Sequence, residues 1–115
     1  MHEFSLCQAL VRQIESIAKD HNTQAVRRIV LQIGPLSGAE IPLIEQAFPL
    51  VAAGTLAQDA LLTIESAPVI VRCRMCGFTN ETQPNQLSCA ACGDLGTELI
   101  SGDRMTLMQL EMEIE

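Results

Sequence analysis

Apolar residues near the start of the chain fall at helical spacing. Leu6, Leu10, Ile14 and Ile17 share one face, and Gln8, Arg12, Glu15 and Lys19 share the other. This pattern predicts an amphipathic helix from about Phe4 to Asp20. Ser5 with Gln8 three positions on predicts a capping box at its start. Asp20-His21-Asn22 should stop it, with His21 capping the negative end of the helix dipole. A strand follows from about Ala25 to Gly34, where Ile29, Leu31 and Ile33 alternate with Arg28, Val30 and Gln32. Gly34-Pro35 breaks it. Ser37-Gly38-Ala39-Glu40 then reads as a second capping box, with Pro42 in the first turn of a helix that runs towards Ala53 and is capped by Gly54. Pro49 inside that helix removes a backbone donor and should kink or split it.

Leu61 to Ile64 reads as a short strand that continues through Val69-Ile70-Val71 after a break at Pro68. A last strand begins near Met105. There Met108, Leu110, Met112 and Ile114 alternate with Gln109, Glu111, Glu113 and Glu115, as on a half-buried sheet. Between these strands, residues 73–96 carry paired cysteines around a turn-rich stretch from Thr79 to Ser88. The flanking strands can pair only if this module is an insertion. The predicted architecture is therefore α/β (α+β): two helices on a small three-stranded mixed sheet, with an inserted zinc-ribbon module. Residues 1–70 with 104–115 form the main domain and residues 71–103 the insertion.

Composition sharpens this picture. The chain has 115 residues, 48% of them apolar, and its aromatics are Phe4, Phe48 and Phe78, so its core must be aliphatic. Length alone suits one modest domain, or a small domain plus a metal-stapled insertion. Fourteen acidic against seven basic side chains give a net charge of −7. That balance argues against a phosphate-backbone ligand and suits cations or basic partner surfaces. No basic-then-apolar leader opens the sequence, and no run approaches the ~18 apolar residues of a membrane span. The expectation is a cytoplasmic protein with neither a membrane nor a nucleic-acid partner.

The strongest chemical signal is Cys73-Arg-Met-Cys76 with Cys89-Ala-Ala-Cys92, two pairs separated by twelve residues. Two such knuckles can close a tetrahedral thiolate site, above all for Zn²⁺. Gly77 and Gly93, each following a second cysteine, can adopt positive φ and let backbone N–H groups turn towards the sulfurs. In a reducing compartment these pairs read as metal ligands rather than disulfides. Four protein thiolates leave no open position for water, which makes the zinc structural. Rubredoxin-like iron is the rival metal, disfavoured by the lack of Trp and Tyr.

A second candidate is Met1-His2-Glu3. If the amino terminus is free, the terminal amine, the His2 amide nitrogen and the His2 imidazole can chelate one ion in a plane. A planar nitrogen set favours Ni²⁺ or Cu²⁺ over Zn²⁺. Glu3 can add a donor, and Glu40 joins only if the fold brings it near His2. From spacing alone, a chance histidine at an ordinary terminus explains the same residues. Cys7 reads as a core residue, His21 as a helix cap, and Met105, Met108 and Met112 as strand packing. No Ser/His/Asp or Cys/His pairing and no phosphate-binding Gly-rich loop appear, so the chain reads as a non-enzyme.

Taken in order, Met1-His2-Glu3-Phe4-Ser5-Leu6, Ile33-Gly34-Pro35-Leu36-Ser37-Gly38, Ala47-Phe48, Gly54-Thr55-Leu56-Ala57, the two cysteine pairs and Ser101-Gly102 resemble the HypA/HybF family of hydrogenase nickel-insertion metallochaperones. The chain departs from that family's pattern at Pro49 and at Asp103-Arg104. The resemblance implies a Ni²⁺ site at His2 with the Met1 amine, Glu3 and Glu40, and structural zinc on Cys73, Cys76, Cys89 and Cys92. It implies as partners the GTPase HypB and a [NiFe]-hydrogenase large-subunit precursor, with urease as a client in some organisms. A weak or domain-swapped homodimer fits an exposed strand edge. The competing readings are a zinc-ribbon adaptor for nucleic acid or a transcription machine, and a small iron-binding electron carrier.

Overall fold

The computed structural model describes residues 2–113; Met1, Ile114 and Glu115, which enter the readings above, lie outside the described residues. The chain runs α1 (His2–Asp20), β1 (Ala25–Ile33), α2 (Ile41–Ala52), β2 (Leu61–Ser66), β3 (Val69–Cys73), β4 (Thr79–Thr82), β5 (Thr97–Ser101) and β6 (Met105–Glu113). Two three-stranded sheets result, ordered β2-β1-β6 and β4-β3-β5.

α1 forms where the apolar stripe predicts, with Glu3 in its first turn and Lys19 in its last, both favourable to the helix dipole. It starts two residues earlier than expected, so Ser5 lies inside the helix rather than at its cap. At the other end the His21 Nδ1 lies 2.9 Å from the Ile17 carbonyl, and Asn22 takes the left-handed conformation (φ 54°) that ends the helix.

β1 is the spine of the first sheet. It pairs parallel with β2, through the α2 crossover, and antiparallel with β6. The strands flanking the insertion therefore do not pair with each other; each pairs with β1. Both helices contribute to one core. Cys7, Leu10, Val11 and Ile14 of α1 and Ile44, Phe48 and Ala52 of α2 join Val26, Ile29, Leu31 and Ile33 of β1. Ile14, Ile29, Leu31 and Ile44 are fully buried, each contributing about 1.5–3 kcal/mol relative to exposure.

Three local expectations are corrected. The predicted second capping box does not form: α2 begins at Ile41 with Glu40 as its N-cap and no side-chain cap, while the Ser37 Oγ accepts a hydrogen bond from the Ala39 amide. Pro49 does not split α2, because it sits in the last turn and the helix ends at Ala52, with the Ala53 amide donating to the Pro49 carbonyl. β2 and β3 are not one interrupted strand. Ala67 and Pro68 carry the chain from the first sheet into the second.

The second sheet has little core of its own. Val69 and Val71 are buried on β3, whereas β4 and β5 are half-buried or exposed throughout. A unit this poor in buried apolar surface needs another cross-link to hold it.

The two sheets meet at Gly34. Its amide donates to the Arg104 carbonyl (2.9 Å), and the Leu36 amide donates to the Gly102 carbonyl (2.8 Å). The Ala67 amide donates to the Ile33 carbonyl (2.9 Å), so the end of β1 grips both connecting segments.

Candidate metal centres

Cys73 ends β3, and its backbone amide donates to the Phe78 carbonyl, so the chain turns tightly through Arg74-Met75-Cys76. Cys89 does the same with the Asp94 carbonyl around Ala90-Ala91-Cys92. In each knuckle the glycine amide donates to the first cysteine's carbonyl at 2.9 Å, and Gly77 (φ 77°) and Gly93 (φ 76°) adopt the left-handed conformation this turn requires. The two loops are near copies.

Their sulfurs converge. The Cys73–Cys92 sulfurs lie 3.6 Å apart and the Cys76–Cys89 sulfurs 3.5 Å, and all four lie within 4.8 Å of one another. These separations are far beyond the ~2.05 Å of a disulfide. They lie close to the ~3.8 Å edge of a tetrahedron with zinc–sulfur bonds of about 2.3 Å. Backbone amides of Met75 and Cys76 donate to the Cys73 sulfur, and those of Ala91 and Cys92 to the Cys89 sulfur, at 3.3–3.4 Å. Such donors stabilise thiolate charge.

The acidities follow. The Cys76 amide, helped by that of Met75, holds the Cys73 thiol below its ordinary value. The Cys92 and Ala91 amides bring the Cys89 thiol down to about 7. At Cys92 the Asp94 amide acts in the same direction, but the Cys73 and Cys89 sulfurs outweigh it and push the thiol up to about 12. Four sulfurs this close cannot all ionise without a counter-cation, and a divalent, thiophilic ion with tetrahedral preference is what the donor set fits. Cys73 and Cys89 are buried while Cys76 and Cys92 reach the surface.

The second candidate lies at the helix starts. His2 is the first residue of α1 and is exposed, so its amide belongs to the first turn, whose N–H groups have no partner within the helix. The Glu3 carboxylate accepts a hydrogen bond from the Glu40 amide at 3.2 Å. Its own amide and that of Glu40 hold the Glu3 carboxyl below its ordinary value, and the neighbouring His2 acts in the same direction. The fold thus places Glu3 beside the backbone of Glu40, with His2 next to it. Among the described residues, the four cysteines are the only group of three or more such side chains whose ligand atoms converge. Sequence reasoning did not find Glu3's role as the hydrogen-bond acceptor at the start of α2. The available signal was the lack of Ser, Thr, Asn or Asp at position 40.

Cys7 is buried, its thiol donating weakly to the Ile44 carbonyl (3.9 Å); burial, and then the charge of Glu3, push its pKa up. It is a core residue. His21 is a helix cap, as its sequence position suggested.

An α+β unit free of any such cross-link and a three-stranded β unit closed by four thiolates define a metal-binding protein with a stapled ribbon. A family model described as "Hydrogenase/urease nickel incorporation, metallochaperone, hypA" matches residues 1–112. The hydrogenase maturation factor HypA of Nitrosospira multiformis is 46% identical over 112 residues, covering 97% of each chain. That of Aquifex aeolicus is 40% identical over the full length of both. The solution structure of the Ni metallochaperone HypA from Helicobacter pylori superposes with a TM-score of 0.79, at 27% identity and 98% coverage of both chains. The chain belongs to the HypA family of nickel metallochaperones for hydrogenase maturation. Neither the nucleic-acid adaptor nor the iron carrier finds support among these relatives.

Proposed function

We propose that this chain carries Ni²⁺ at the start of α1 and releases it to a hydrogenase precursor, while Cys73, Cys76, Cys89 and Cys92 hold a structural Zn²⁺. The nickel donors in this reading are the His2 imidazole and amide nitrogen and the Met1 amine, with Glu3 and Glu40 as carboxylate candidates. The observation that carries it is the hydrogen bond between the Glu3 carboxylate and the Glu40 amide, which draws these residues to one end of the helix pair beside His2. Nitrogen donors in a plane suit Ni²⁺. An exposed site with few protein ligands also releases its ion more readily than a closed cage, as a carrier must.

The zinc, when bound, supplies a tetrahedral cross-link and no open coordination position, so the ribbon unit is held without a reactive centre. We read the protein as a non-enzyme on that basis. Division into a nickel-binding domain (1–70 with 104–115) and a zinc-ribbon domain (71–103) belongs to the same reading. So does a cytoplasmic location, in keeping with a described chain in which no helix is long and apolar enough to cross a membrane. The partners proposed are the GTPase HypB and the [NiFe]-hydrogenase large-subunit precursor, with urease as the alternative client and weak homodimerisation as an option for the free chain.

The test is calorimetric titration of Ni²⁺ into zinc-loaded native protein, His2→Ala, and a version extended before Met1. Both changes should abolish tight binding while zinc content stays constant. Equal nickel binding by all three would refute the terminal site.

A further inference from the structure

Between the first turn of α1 and the outer face of α2 lies an open groove of about 380 Å³, lined by Glu3, Phe4, Leu43, Gln46, Ala47 and Leu50. Its floor is apolar. Ile44, Phe48 and Ala52 turn into the core, whereas Leu43 and Leu50, seven residues apart and so on one helical face, are 41% and 73% exposed. Two large exposed leucines beside a half-buried phenylalanine are more than scattered surface hydrophobics, and they border the carboxylate that caps α2.

Charge selects what can cover this surface. The groove's one charged side chain is Glu3, and no Lys, Arg or His occurs between Arg28 and Arg72. A second copy of this chain would bring the same acidic group against its equivalent, in a molecule of net charge −7. An anionic membrane would be repelled for the same reason. We infer that the groove docks a basic amphipathic helix of a partner protein, its apolar side chains seated on Phe4, Leu43, Ala47 and Leu50 and a flanking Lys or Arg side chain facing Glu3. The assignment of this contact to nickel delivery rests on the terminal-site reading above, but the groove itself stands on its own geometry.

The probe is a synthetic, fluorescein-labelled helical peptide with leucines on one face and lysines flanking them, and a twin with every lysine replaced by glutamate. Anisotropy with full-length, zinc-loaded protein should show binding of the lysine peptide and at least ~10-fold weaker binding of its twin. Amide NMR shifts should centre on Phe4, Leu43, Ala47 and Leu50. Leu50→Ser and Leu43→Ser, both at exposed positions, should each weaken the lysine peptide about tenfold, as expected of central apolar anchors. Nickel titration of Leu50→Ser should match native protein, which separates this inference from the nickel site: normal nickel binding by His2→Ala would refute that site and leave the groove standing. Absent peptide binding, equal binding of the two peptides, or insensitivity to both leucine substitutions would overturn the proposal. Sedimentation showing a dimer abolished by Leu50→Ser would do so too, by making a second copy the occupant.

Discussion

Gly34→Ala tests the junction between the two sheets. A Cβ built on Gly34 would lie 2.1 Å from the Gly102 carbonyl oxygen and 2.2 Å from its carbon. The obstruction is backbone, so no side chain can swing aside. Gly102 has no easy retreat, since it already sits at φ +113° with its own Cβ position 3.0 Å from Val69. Relief therefore requires residues 102–104 to move by about 1 Å, enough to break the hydrogen bonds from Gly34 to Arg104 and from Leu36 to Gly102. Two lost hydrogen bonds cost about 0.5–1.5 kcal/mol each. Overpacking adds about 1–3 kcal/mol, and loss of glycine's unfolded-state freedom returns about 0.4–1 kcal/mol. The expected net destabilisation is about 3 kcal/mol, within a span of about 1–5.5 kcal/mol. Gly38→Ala is the control: unlike Gly34 it stands at positive φ (+80°), but it meets nothing within 4 Å, so its cost is the left-handed backbone penalty of about 1–2 kcal/mol. The chain has no Trp or Tyr, so urea unfolding is best followed by far-UV circular dichroism at fixed zinc concentration. A Gly34→Ala cost no greater than that of Gly38→Ala would refute the close-approach argument.

Three further outcomes are expected. Cys89→Ser should strip zinc, measured by elemental analysis, and expose β3–β5 to hydrogen exchange while the α1–α2 core keeps its protection, because the ribbon unit buries too little of itself to stand alone; retained zinc or uniform loss of protection contradicts this. Pro49→Ala should stabilise by about 1–2 kcal/mol, since it restores a donor for the Glu45 carbonyl in α2 at an exposed position, offset by greater unfolded-state freedom; a destabilised variant would mean that the proline is needed at the helix end. For Glu3 the folded carboxyl titrates below its ordinary 4.5, so its contribution to stability is present above that pH and disappears as pH falls through the lower folded value. Carboxyl NMR titration should show the lowered midpoint, the Glu40→Pro variant, which lacks the donating amide, should raise it, and no change would rule out that hydrogen bond as a cause.

What the sequence discloses tracks burial. α1 and α2 were legible from their helical stripes and β1 from Ile29, Leu31 and Ile33, and the core in turn selects Leu10, Ile14, Ile29, Leu31 and Ile44. β6 was legible from Leu110 and Met112, but a register shift against β1 puts Leu107 on the core and leaves Met108, expected to pack, exposed. The ribbon strands were not. β4 reads Thr79-Asn80-Glu81-Thr82, with no apolar face to betray it, and it forms because β3 and the two knuckles hold it in register. Its neighbour β5 was missed for the same reason: Leu99 and Ile100 are largely solvent-facing, so they carry no alternating burial. β2 and β3 looked like one strand because both are apolar; only the topology shows that Ala67-Pro68 changes sheets.

The candidate sites divide along the same physical line. Cysteine ligands carry their own spacing, because a knuckle must return the second sulfur to the first within one turn, and four thiols at that spacing announce a centre from sequence alone. Glu3 and Glu40 are thirty-seven positions apart and meet through a backbone amide, which has no side-chain identity to read. The deducible part was negative. Glu40 is a poor N-cap, α2 has no acidic residue in its first turn, and an uncapped helix start needs an acceptor from somewhere. The first turn of α1 brings a carboxylate there because Cys7, Leu10, Val11 and Ile14 seat α1 against Ile44 and Phe48. The same core packing that fixes the helix pair therefore fixes the Glu3 carboxylate against the Glu40 backbone. Their geometry depends on buried residues that no metal-ligand motif would include.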